Sequence, residues 1–211
     1  HLGHGYTWNA QPWSPVEGYT SFSWILLLDF VWTTTGIDPP HAANALSLLC
    51  SLGTLLIFAG WSREIIARNH PEKASLGFFV AALLGLVTHR VFLTWTSSGL
   101  ETALFNLLVF AWARSAYQIQ TGETKYQARL AVVAACVALT RPDGYLFVAA
   151  TLVILGLQGW KSRQSPGALL KRLAPLLVVV AHLLWRRSFY GEWLPNTYYA
   201  KVVEPMPDLG L

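Results

Sequence analysis

Four short groups in this chain bring acidic, basic and aromatic side chains close together: Val16-Glu17-Gly18-Tyr19-Thr20, Ser97-Ser98-Gly99-Leu100-Glu101-Thr102, Arg141-Pro142-Asp143-Gly144 and Leu194-Pro195-Asn196-Thr197-Tyr198-Tyr199-Ala200-Lys201. Carboxylates such as Glu17 and Glu101 accept hydrogen bonds from hydroxyls, and Asn196 both donates and accepts. Arg141 and Lys201, with Arg90 beside His89 and the pair Arg186-Arg187, offer cations to phosphate oxygens, the arginines bidentately. Tyr198, with Tyr190, Trp193 and Tyr199, adds aromatic faces that suit a sugar ring or an isoprenoid. The combination points to a ligand carrying both phosphate and hydroxyl groups.

Each group also has a purely structural reading. Ser98 and Glu101 have the spacing of a capping box, in which two orphan amides are satisfied reciprocally before an apolar run. Glu17 precedes a position where Thr20 could cap a helix. Single arginines and lysines snorkel to ordinary lipid headgroups, and tyrosines and tryptophans form interfacial belts.

The elements that must position these residues are apolar. Hydrophobic residues make up 54% of the chain and charged ones only 12%, with ten tryptophans, a balance that fits membrane-spanning helices with aromatic anchors. The segments 42–61, 76–95, 100–117 and 173–185 approach the roughly 20 helical residues that a hydrocarbon layer requires. The basic residues, which give a pI near 9.2, are dispersed between apolar runs instead of forming one stripe. Nucleic-acid binding is therefore not expected.

Topology follows from parity. If 42–61, 76–95, 100–117, 130–140, 145–160 and 169–185 each cross once, one side receives Arg63, Arg68, Lys73, Arg114, Lys125, Arg129, Lys161, Arg163, Lys171 and Arg172, in the gaps 62–74, 118–129 and 161–172 or close to them. The other receives Arg90, Arg141, Arg186, Arg187 and Lys201. Ten against five makes the first side cytoplasmic and puts all four residue groups outside.

Two segments bear on this count. Residues 21–35 hold Asp29 and Thr33-Thr34-Thr35 and end in Gly36-Ile37-Asp38-Pro39-Pro40, which reads as a helix lying at the outer interface, with Trp24 and Trp32 at headgroup level. Residues 130–160 form either one long helix kinked at Pro142 or two helices joined by a hairpin. The hairpin is favoured because it exposes Arg141 and Asp143 instead of burying both at mid-membrane.

Other chemistries find little support. Cys50 and Cys136 lie in apolar runs without spacing partners and read as small hydrophobes. No metal-ligand spacing, phosphate loop or Gly-x-Ser-x-Gly elbow is present.

Taken together, Gly3-His4-Gly5-Tyr6-Thr7-Trp8-Asn9, residues 16–24, Ser98-Gly99-Leu100-Glu101-Thr102, Leu139-Thr140-Arg141-Pro142-Asp143-Gly144 and residues 189–201 resemble the bacterial GT-C superfamily of membrane glycosyltransferases, above all the branch of the mycobacterial terminal arabinofuranosyltransferases. The resemblance implies an all-α integral membrane protein, a GT-C-like polytopic bundle with one interfacial helix and about six transmembrane helices. Residues 1–36 would form an outer loop with the interfacial helix, 37–190 the bundle, and 191–211 the start of a further outer loop.

It also implies a function. A sugar would pass from a polyprenyl-phosphate donor to a glycan, lipid or protein acceptor of the cell envelope, at the outer face of the bacterial inner membrane and among its lipids. Arg141, Lys201, Arg186, Arg187 and Arg90 would face the donor phosphate, and Glu17, Glu101, Asn196 and Tyr198 the sugar or acceptor. A divalent-cation cofactor is left open. The carboxylate that serves as base in the family lies upstream of the Gly-His-Gly stretch, so it is expected before His1, with these residues a fragment of a longer chain. The competing readings are a transporter or flippase for lipid-linked sugars, and a non-catalytic membrane subunit.

Overall fold

The computed structural model describes residues 7, 15–69, 74–196 and 199. They are helical, with no strand among the described residues. Among the described residues three helical stretches are long and apolar enough to cross a bilayer, Pro39–Ile66, Pro142–Lys161 and Pro166–Tyr190, and the bent pair Phe79–Thr88 and Arg90–Thr96 is a fourth if taken as one span. The chain is therefore a helical protein with the makings of a membrane bundle.

The first helix, α1 (Phe22–Thr35), stops where the sequence predicts. Gly36 adopts φ 73°, and its N–H returns to the Trp32 carbonyl at 2.8 Å. At 14 residues it extends only about 21 Å, short of a hydrocarbon core of about 30 Å. Thr33, Thr34 and Thr35 each donate a hydroxyl to the carbonyl four residues back, which hides their polarity within the helix. Thr20 does not cap it; Ser21 occupies that position and makes no side-chain capping bond.

Several boundaries differ from expectation. Helix α2 (Pro39–Asn69) runs 31 residues, well into the expected gap 62–74. Two of its charges are paired: Arg68 meets Glu64 at 2.9 Å and Glu123 at 3.2 Å, and Arg114 of the following hairpin reaches Glu64 at 3.5 Å. The segment 76–95 is not one straight helix but α3 (Ala74–Thr88) and α4 (Arg90–Thr96), bent by 62°. His89 is extended there (φ −69°, ψ 114°), and its carbonyl accepts the Leu93 N–H that starts the new helix. The expected gap 161–172 likewise shrinks, because α8 (Pro166–Leu173) begins at once, capped by Ser165, and continues through a 3-10 turn into α9 (Leu177–Tyr190).

The middle of the chain folds as two tight hairpins. Helix α5 (Thr102–Gln120) leads through residues 121–126 into α6 (Gln127–Thr140), and Arg141 with a 3-10 turn at Pro142–Gly144 leads into α7 (Tyr145–Lys161). The hairpin at 141–144, and not a kinked continuous helix, is what forms. Gly144 makes it possible: a Cβ there would lie 2.3 Å from the Val137 carbonyl oxygen, so only hydrogen fits between turn and helix. Helix α6 spans about 21 Å and is coated by its neighbours, with Leu130, Ala131, Ala134 and Val137 fully buried. Alanines on its faces allow this close approach.

Contact registers sort the ends of the bundle. Trp112 Nε1 donates to Thr151 at 2.8 Å and Gln158 Nε2 to the Ile119 carbonyl at 3.2 Å, both pairs 39 residues apart, so α5 and α7 are parallel. Helix α2 is also parallel to α5, since Ser47 bonds Leu100, Phe58 meets Phe110 and Trp61 meets Tyr117 in rising order. Residues 36–40, 97–102 and 141–144 therefore share one end, while 118–126 and 161–165 share the other. Replacing Gly144 by Ala is expected to lower bundle stability by about 1–3 kcal/mol through overpacking, whereas Gly156→Ala, where a Cβ meets nothing, should be neutral or mildly stabilising. Thermal unfolding of both variants in detergent checks this.

Candidate functional site

Two ionic clusters form at the end of the bundle that carries the motifs. The first joins the two extremes of the described chain. Glu17 lies in the irregular segment before α1, and Arg186 lies on α9, one helical turn beyond His182. Arg186 Nη2 donates to Glu17 Oε1 at 3.0 Å, with the side chains only 5% and 3% exposed. A buried pair of this kind loses much hydration and needs close geometry to offset it. The offset is incomplete, because Glu17 Oε2 and Arg186 Nε lack partners. Burial accordingly pushes the Glu17 carboxyl above its usual range, against the opposing pull of Arg186.

Aromatic residues wall the pair. Tyr19 Oη and Tyr190 Oη are hydrogen-bonded at 3.1 Å, and burial together with this bond raises the Tyr19 phenol far above its ordinary titration. Phe22 packs on His182 and Trp185, with ring centroids 4.4 and 5.6 Å away. The His182 imidazole is buried and neither nitrogen has a partner. Arg186 also reaches the Trp193 carbonyl at 3.5 Å, while Arg187 lies over the Trp193 ring at 5.8 Å. A small cavity of about 60 Å³ opens beside the pair, lined by Glu17, Tyr190, Glu192 and Asn196 among others.

The second cluster centres on Arg141, at the hairpin tip. It donates to Asp143 at 3.2 Å and to Glu101 at 3.4 Å, and its guanidinium lies 5.4 Å from the Phe105 ring centroid. The expected capping box is absent. Ser98 instead accepts the Leu100 N–H and donates to the Trp95 carbonyl, Gly99 turns at φ 69°, and α5 starts only at Thr102. This frees the Glu101 carboxylate for Arg141. Asp143 remains half exposed at the tip.

Tyr145 lies just past the second cluster in the chain. It follows the hairpin directly as the first residue of α7. It also heads an apolar groove of about 500 Å³ between α7 and α8–α9, lined by Leu152, Leu170, Leu173, Leu177 and Val180.

Comparison with known proteins finds no matching family model, curated protein or solved structure.

Geometry thus brings Glu17, Arg186 and Asn196 into one site and Glu101 and Arg141 into another. Arg186 is spent on Glu17 instead of facing solvent. Arg90 stands apart, exposed at the bend between α3 and α4. Tyr198 and Lys201 lie outside the described residues. Sequence reasoning did not single out His182 or Tyr145, although His182 has a visible signal in its i,i+4 spacing from Arg186. Removing one partner of the buried pair by Arg186→Met is expected to destabilise the fold by about 3–5 kcal/mol, with most of it recovered in the Glu17→Leu/Arg186→Met double variant. Equilibrium unfolding of the wild type and the two variants in mixed micelles measures this.

Proposed function

We propose that this chain belongs to a GT-C-type membrane glycosyltransferase, with about six crossings and α1 as an interfacial helix, in the bacterial inner membrane. It moves a sugar from a polyprenyl phosphate to a cell-envelope acceptor at the outer face. The observation that carries this reading is that the hairpin tip bearing Arg141 leads directly into α7, whose first residue, Tyr145, lines the apolar groove. A lipid-linked sugar has the same two parts, a hydroxylated and phosphorylated head and an aliphatic tail. Further support comes from charge: the opposite end of the bundle holds Lys125, Arg129, Lys161 and Arg163, as a cytoplasmic face should.

In this reaction the acceptor oxygen attacks the anomeric carbon, its proton passes to a carboxylate, and the bond to the phosphate oxygen breaks with its electron pair leaving on the phosphate. Arg141, Arg187 and Lys201 stabilise that departing charge. Glu17, held by Arg186, and Glu101, held by Arg141, accept hydrogen bonds from sugar or acceptor hydroxyls, a role shared by Asn196 and Tyr198.

The test uses membranes from cells expressing the protein, supplied with radiolabelled polyprenyl-phosphate pentose or hexose. Labelled product is expected, and its absence with every such donor overturns the reading. Arg141→Ala should lower turnover at least about tenfold, which corresponds to roughly 1.4 kcal/mol, with membrane insertion unchanged. Leu152→Trp, which fills the groove, should raise KM for long-chain donors more than for short-chain ones.

A further inference from the structure

At the basic end of the bundle a second cavity, of about 330 Å³, opens between α5 and α7 and is lined by Gln120, Ile154, Leu157, Gln158 and Lys161. It is remote from the clusters above in two respects. The α7 residues that line it, 154, 157, 158 and 161, follow one stripe at helical spacing, and that stripe is on the side of α7 opposite Tyr145, Val148 and Leu152. It also lies near the C-terminal ends of α5 and α7, whereas the clusters lie near their N-terminal ends.

The cavity is graded from polar to apolar. Lys161 and Gln120 end their helices at the rim, Gln158 lies one turn further in, and Leu157 and Ile154 continue the wall, with Ile154 about 10 Å along the axis from Lys161. The Gln158 amide, through its bond to the Ile119 carbonyl, ties α7 to α5. Trp160, 79% exposed, lies next to the rim in the manner of an interfacial anchor.

The sign of the rim decides which headgroup it takes. The C-terminal carbonyls of two helices would ordinarily disfavour an anion. Here they are already engaged: Thr121, Glu123 and Gly122 donate N–H groups to the carbonyls of Tyr117, Gln118 and Ile119, and Ser162, Gln164 and Arg163 do so to those of Gln158, Gly159 and Trp160. What remains is the Lys161 ammonium, which has no ion pair among the described residues, and the Gln120 carboxamide. We infer that this cavity is a binding site for one anionic phospholipid, its phosphate on Lys161 and Gln120 and an acyl chain against Leu157 and Ile154. Lys125 at the same end is neutralised by Glu123 at 3.3 Å, and the site is independent of any transferase activity.

The test is native mass spectrometry of the purified full chain in detergent, titrated with phosphatidylglycerol or phosphatidylcholine. Wild-type protein should retain phosphatidylglycerol about fivefold more tightly, the factor expected of one lysine–headgroup contact. Lys161→Ala should abolish that preference, and Leu157→Trp should weaken both lipids by filling the apolar wall. Lys125→Ala removes an exposed charge at the same end but outside the cavity, and should leave the preference in place. Equal retention of the two lipids by wild type, an undiminished preference in Lys161→Ala, or an equal loss in Lys125→Ala would each overturn the assignment.

Discussion

The Glu17–Arg186 pair is the constraint on which the motif-bearing end depends. It joins residues 169 positions apart, and almost no water reaches either side chain. Neither group could be left alone there, since an unpaired buried charge is far more costly than a paired one. The segment before α1 is thus obliged to lie against α9, and Tyr19 and Phe22 meet Tyr190 and Trp185 as a consequence. A pair of this kind adds little net stability over an apolar pair, but losing either partner is costly.

The second cluster is built differently. Arg141 is partly solvated, its two carboxylate contacts are longer, and Asp143 faces outward. Its geometry comes from the hairpin and not from the ions. Gly144 seats the turn on α6, which leaves Arg141 at the tip with Glu101 across from it. Asp143 is half exposed at the tip, so the Arg141 guanidinium is shared between a partly buried carboxylate and one that water screens.

Much of this arrangement was legible in the residues. Gly36 and Pro39-Pro40 announced the end of α1, Arg-Pro-Asp-Gly announced a turn, and the basic gaps 118–126 and 161–165 lie at the end of the bundle opposite 97–102 and 141–144. Boundaries were harder to read. Polarity near Ser62 suggested that α2 should stop, yet Glu64 and Arg68 pair along the helix and with Arg114 and Glu123, contacts made only once α5 is in place. The bend at His89 lies within an apolar run that carries no proline, so periodicity offered no warning. Of the site, the pairing of Glu17 with Arg186 was beyond reach, because a sequence lists charges without saying which of them meet.

The fixed register of α5 against α7 has a mechanical corollary. Sliding either helix along the other would break the Trp112–Thr151 and Gln158–Ile119 bonds together, so the two behave as a single strut. Glu101 and Arg141 ride on its tip and keep their spacing. The distance between the two residues is therefore set by that strut and not by the docking of the segment before α1 on α9.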